Sequence, residues 1–176
     1  MRILRIAPLL VTLVACDAAG PVDDDDAATV ALDPHGWIAV EADADPYAAR
    51  RPDEVACAPG EGFVVEDYGA LEVRTGSCNW LSVAQPAPID LPAGTVVTLR
   101  LWAIELQAPE PAVATIAVAV DGESTWTREI PIPSPTELIV DRWALERPVE
   151  AGAPVVFHVD NHGANTYALV ELSFAQ

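Results

Sequence analysis

The sequence predicts an all-β protein, an antiparallel β-sandwich forming a single domain closed by one disulfide. Three observations predict it. Short β-rich runs recur at regular spacing, with turn chemistry between them. The composition favours strands and turns over helices: 51% of the residues are apolar, 16 are proline and the only methionine is Met1. No stretch carries helical periodicity over a convincing length. The 176 residues leave room for one domain once the N-terminal segments are set aside.

In chain order, Gly36-Trp37-Ile38-Ala39-Val40 reads as a short first strand. An acidic, proline-containing stretch then leads through Arg50-Arg51-Pro52 to Cys57. Further strands are expected near 61–66, 70–74, 79–84, 94–106, 112–120, 124–131, 137–143, 154–160 and 165–174. The breaks carry turn residues: Thr75-Gly76-Ser77, Pro86-Ala87-Pro88, Pro92-Ala93-Gly94, Asp121-Gly122 and Asn161-His162-Gly163. Two hairpins are expected. One joins 112–120 to 124–131 across Asp121-Gly122-Glu123, and the other joins 154–160 to 165–174.

Val155, Phe157 and Val159 share one strand face and Val156, His158 and Asp160 the other, as in a half-buried strand. In the final strand Ala168, Val170, Leu172 and Phe174 form an apolar row, while Tyr167 and Leu169 have the opposite parity. A one-residue register change exchanges these faces, so the pattern leaves open which row is core. Trp102 falls in an apolar run and is expected in the core.

Arg2 and Arg5 precede an apolar run from Ile6 to Ala15, the layout of an export signal and too short to span a bilayer. The run ends in Leu13-Val14-Ala15-Cys16, which resembles the lipobox of bacterial lipoproteins. The resemblance implies cleavage after residue 15, acylation of Cys16 and attachment to the bacterial cell envelope. Asp17 resembles an inner-membrane retention signal of some enteric bacteria, a rule that varies, so the choice between inner and outer membrane stays open. Residues 16–33, with Asp23-Asp24-Asp25-Asp26, read as the acylated cysteine and an extended acidic tether. The aspartate run lacks the glycine turn and later glutamate of a calcium loop. The domain is expected over 34–176.

With Cys16 assigned to the lipid, Cys57 and Cys78 are expected to pair. Such a loop stabilises the fold by roughly 3 kcal/mol. Zinc fits poorly, because neither cysteine has a paired neighbour.

The formal charge is −18, and all nine cations are arginine. Such a surface repels nucleic-acid phosphates. It also repels anionic head groups, so membrane attachment rests on the acyl chains.

No catalytic residue is assigned. The chain has no Gly-x-Ser-x-Gly elbow, phosphate loop or dinucleotide fingerprint. Ser82 and Ser134 have no histidine nearby in sequence. His158, Asp160 and His162 are the one suggestive metal-ligand grouping, at a strand end and turn where such residues are also ordinary. No cofactor is expected beyond a structural calcium that so many carboxylates would permit. Among the five tryptophans, Trp126, between two threonines, and Trp143, after Asp141 and Arg142, are the candidates for stacking on a ligand.

The strand pattern also loosely resembles the jelly-roll sandwiches of carbohydrate-binding modules. That implies a non-catalytic envelope module, with a glycan as its ligand. A structural or protein-interaction subunit of the envelope is the alternative, and a metal-dependent enzyme ranks behind both.

Overall fold

A computed structural model describes residues 28–57 and 61–176. The lipobox, Cys16 and the aspartate run lie outside the described residues. Among the described residues eleven strands form: β1 (Thr29–Ala31), β2 (Ile38–Ala39), β3 (Phe63–Val65), β4 (Leu71–Arg74), β5 (Trp80–Pro86), β6 (Val96–Ile104), β7 (Ala112–Val120), β8 (Glu123–Ile132), β9 (Glu137–Ala144), β10 (Pro154–Asp160) and β11 (Thr166–Ala175). One 3₁₀ turn, Ala48–Arg50, is the only helical element among the described residues.

The strands make two antiparallel sheets. Sheet A has the order β3-β4-β11-β6-β9, with β1 also paired to β11, and sheet B has the order β2-β5-β10-β7-β8. Every connection between consecutive strands crosses from one sheet to the other except β3–β4 and β7–β8. Side chains from the two inner faces fill the space between the sheets: Val97, Leu99 and Leu101 of β6 meet Ile116, Val118 and Phe157 of sheet B in one core. Cys57 and Cys78 are disulfide-bonded, as expected.

The Asp121-Gly122 hairpin forms. Both residues have positive φ, 51° and 78°, the geometry of a type I′ turn that matches strand twist. The other expected hairpin does not form. β10 lies between β5 and β7 in sheet B, while β11 lies in sheet A. Neighbours already occupy both edges of β10, so residues 161–165 carry the chain across the sandwich. Asn161 and Asn165, both buried, hold that crossing by bonding each other and Thr75.

Three further expectations change. Thr29–Ala31, placed in the tether by sequence, is an edge strand on the C-terminal half of β11. The Val156-His158-Asp160 face of β10 does not meet solvent: Val156 and His158 are buried, because residues 41–57 fold back over sheet B. Trp102 is not core. Thr98, Arg100, Trp102 and Ile104 share the outer face of β6, whereas Val97, Leu99, Leu101 and Ala103 point inward.

The two apolar rows of β11 each supply part of the core, in succession: Tyr167 and Leu169 from one, Leu172 and Phe174 from the other. The register against β6 shifts between Leu169 and Glu171. That bulge at Val170 turns Tyr167 and Leu169 inward on one side and Leu172 and Phe174 inward on the other.

Candidate functional site

The sequence candidates centre on two places, and the structure adds a third. His158 and Asp160 belong to a polar cluster beneath residues 41–57. Ser82 on β5 is directly across from His158 on β10, and Ser82 Oγ lies 2.8 Å from His158 Nδ1. Asp45 accepts hydrogen bonds from Ser82 Oγ (2.9 Å), the Trp80 indole N–H (2.8 Å) and the Tyr47 backbone N–H (3.0 Å). Arg51 stands 3.7 Å from the same carboxylate. His158 Nε2 faces Asp160 at 3.4 Å, and Arg50 holds Asp160 at 2.8 Å. Tyr47 stacks on the imidazole and Trp80 meets it edge-on. Ala117 and Ala119 on β7 leave room for these rings.

Burial pushes the Asp160 carboxyl up, but its hydrogen bonds and charge interactions with His158 and Arg50 outweigh this and hold it below the usual carboxylate value. Burial raises the Tyr47 hydroxyl to about 12. Ser82 and His158 are covered, so no substrate reaches them. His162 is exposed on the turn, apart from this cluster. No grouping of three or more His, Cys, Asp or Glu side chains among the described residues is placed to hold a metal ion.

Trp126 and Trp143 meet each other. Their rings stack at 5.8 Å with an 18° interplanar angle, at the open side of the sandwich between the edge strands β8 and β9. Both are half-buried against the core, and the Trp126 indole donates to Asp141 (3.1 Å). A register shift at the β7–β8 hairpin places Trp126 opposite Val118, on the inner face. Beside Trp143 lies a cleft of about 250 Å³, also lined by Glu123, Ser124 and Arg147.

The third place is the outer face of sheet A, which sequence reasoning missed. Trp102 is 39% exposed there. Its cross-strand neighbours are Leu138 on β9 and Ala168 on β11. Ala168 is itself buried on this face, so the indole is open to solvent only on part of its surface. Ile104, Val140 and Val170 extend the apolar surface, and all three are exposed. Polar groups border it: Glu72 on β4 is opposite Ala168, and Arg100 on β6 is ion-paired with Glu171 on β11. A partly exposed indole with a hydrogen-bonding border suits an amphipathic ligand, one that presents C–H groups to the ring and hydroxyls to the rim. The signal in the sequence was the alternation Thr98, Arg100, Trp102, which places the tryptophan on the polar side of its strand.

No protein-family model matches the chain, and no curated protein sequence matches it. Solved structures do. The xylan-binding module CBM15 superposes with a TM-score of 0.51 at 10% identity, covering 84% of this chain and 95% of that one. That likeness shows the shared sandwich fold. The K3 cleaved adhesin domain of Lys-gingipain from Porphyromonas gingivalis W83 matches at a TM-score of 0.47 and 11% identity, over 82% and 94% of the two chains. The catalytic domain of Agl-KA matches at a TM-score of 0.41 and 12% identity. The match involves 61% of this chain but spans only 21% of that one.

Proposed function

We propose that the domain is a non-catalytic glycan-binding module, displayed on the bacterial cell envelope by an acylated Cys16. The observation that carries the glycan reading is Trp102, exposed on the outer face of the penultimate strand of sheet A with a hydrogen-bonding border. The shared fold with a xylan-binding module supports it. The lipobox resemblance of Leu13-Val14-Ala15-Cys16 supports the anchor. Trp102 supplies the stacking platform, and the flanking charged side chains bond sugar hydroxyls.

Affinity electrophoresis of the full chain in detergent, through gels containing xylan and other envelope or plant polysaccharides, tests the binding. Retardation by at least one polymer, lost in Trp102→Ala, is expected. Retardation that survives the substitution contradicts the platform. For the anchor, Cys16→Ala is expected to free the chain from membranes, and continued membrane retention contradicts acylation at that residue.

A second reading, a protein-interaction subunit, is favoured by one observation. Beside the two-residue edge strand β2 runs an apolar groove of about 530 Å³, with Ile38 strongly exposed at its margin. Ile38→Asp separates the readings: it weakens a protein complex and leaves glycan retention unchanged.

A further inference from the structure

The charges on the outer face of sheet A indicate what kind of glycan the platform takes. The chain carries −18 overall. On this face the charges balance instead, with Arg74, Arg100 and Arg142 against Glu66, Glu72 and Glu171. Two of the three arginines are neutralised locally: Arg74 pairs with Glu72 and Glu66, and Arg100 with Glu171. Arg142 is the one arginine among the described residues that forms no ion pair with another of them. It is exposed on β9, opposite Thr98, on the same face as Trp102. Trp102 is opposite Leu138, four residues before Arg142 on that strand, which sets the two about 14 Å apart along it.

We infer that the platform binds an acidic glycan, a polymer bearing uronate carboxylates, with one ring on Trp102 and a carboxylate on Arg142. In so acidic a protein, a guanidinium left without a carboxylate on the same sheet face as an exposed indole is the complement of a ligand that brings its own. Guanidinium and carboxylate match as a two-pronged hydrogen-bonded pair. The remaining negative charge of the chain does not forbid this, because screening at physiological salt limits its reach to about 8 Å. Val140 lies between the two anchors and carries no charge to oppose the polymer. The inference rests on the proposed glycan reading and narrows it to a class of ligand.

The test uses polygalacturonate and its fully methyl-esterified form, which share a backbone and differ in the carboxylate. Affinity electrophoresis of the full chain in detergent measures binding to each. The expected result is binding to polygalacturonate at least about tenfold tighter than to the ester, the size of a charge-assisted hydrogen bond. Arg142→Gln is expected to bring polygalacturonate down to the level of the ester and leave ester binding unchanged. Trp102→Ala is expected to abolish both.

Equal affinity for the two polymers, or a preference that survives Arg142→Gln, overturns the acidic-ligand inference and leaves the glycan reading standing. So does binding to xylan alone. Binding indifferent to Trp102→Ala overturns both. Failure to bind any polymer, together with a dimer in sedimentation that Trp102→Ala dissociates, also overturns both and makes the face a contact between copies of the chain. Arg142 and Trp102 are exposed on the sheet surface, so neither substitution removes core packing, and circular dichroism checks that the variants fold.

Discussion

Ser82 Oγ lies between two partners, 2.8 Å from His158 Nδ1 and 2.9 Å from Asp45 Oδ1. As a carboxylate, Asp45 only accepts, so the one hydroxyl proton of Ser82 points to it and the proton of the second bond sits on Nδ1. A serine, a histidine and a carboxylate in line superficially match an activated nucleophile. Here the serine donates its hydrogen bond to the carboxylate instead of to the imidazole, and the group is covered by residues 41–57, so its role is to hold that cover on sheet B. Ser82→Ala leaves Asp45 and His158 each short of a partner and is expected to cost about 1–3 kcal/mol in chemical denaturation. A serine-directed fluorophosphonate is expected not to label the folded chain. An unchanged stability, or labelling at Ser82, contradicts the structural role.

Asp160 gives the cover its acid sensitivity. Its carboxyl is held below the usual value in the folded state. A depressed folded-state value stabilises above the unfolded value, about 4, and that stabilisation is lost as pH falls through the folded one. Thermal unfolding followed from neutral pH into this range is expected to fall more steeply for the native chain than for Asp160→Asn. Parallel curves exclude Asp160 as the linked group.

The disulfide fastens the end of the same cover to the start of β5. Cys57 is half-buried beside the core, and the Asn79 side chain bonds the neighbouring backbone at Ala56 and Glu54. Cys57→Ser is expected to lower stability by roughly 3 kcal/mol under oxidising conditions and to have no effect when both proteins are reduced. An equal effect in both conditions argues that the cysteine acts through packing instead.

The tryptophans divide by role. Trp143 packs on the core and on Trp126, so Trp143→Ala is expected to destabilise by about 2 kcal/mol. Trp102→Ala, on an exposed face, is expected to change stability by less than about 0.5 kcal/mol. Urea denaturation of both variants checks this. A large loss for Trp102→Ala means that its indole is part of the fold and not a free platform.

Tyr167 carries a different signature. It sits on β11 between β4 and β6, its ring is buried in the core, its hydroxyl has no hydrogen-bond partner, and burial pushes its ionisation up. Removing an unpaired buried hydroxyl relieves a desolvation cost, so Tyr167→Phe is expected to leave stability unchanged or raise it by up to about 1 kcal/mol. A clear loss shows that the hydroxyl has found a partner, such as a buried water.

The sandwich was legible because turn chemistry and β-rich runs agree along most of the chain. The Asp121-Gly122 hairpin and the Cys57–Cys78 bridge were legible for the same local reasons. What escaped was the facing of particular strands, and two bulges explain much of it. Counted from the Asp121-Gly122 turn, a regular ladder would set Thr125 opposite Val118 and turn Trp126 outward, which is how its polar neighbours read. The extra residue sets Trp126 opposite Val118 instead, and the indole faces inward. Val170 does the same in β11, so neither of its apolar rows alone was the core. For Trp102 the parity was present in Thr98 and Arg100, but the apolar Trp102 and Ile104 on the outer face masked the alternation. The Asp45–Ser82–His158 cluster joins residues up to 113 positions apart, and no local pattern announces such a meeting.

The most direct test of the glycan platform is a nuclear magnetic resonance titration of the isotope-labelled chain with oligosaccharides cut from a polysaccharide that retains it. Five tryptophans give five indole N–H probes. Binding at the sheet A face predicts that the Trp102 indole signal and the backbone amides of Val140 and Arg142 shift, while those of Trp80 and Trp37 stay. Shifts centred on Trp143, Ser124 and Arg147 with Trp102 unmoved would contradict it and place the ligand in the cleft between β8 and β9.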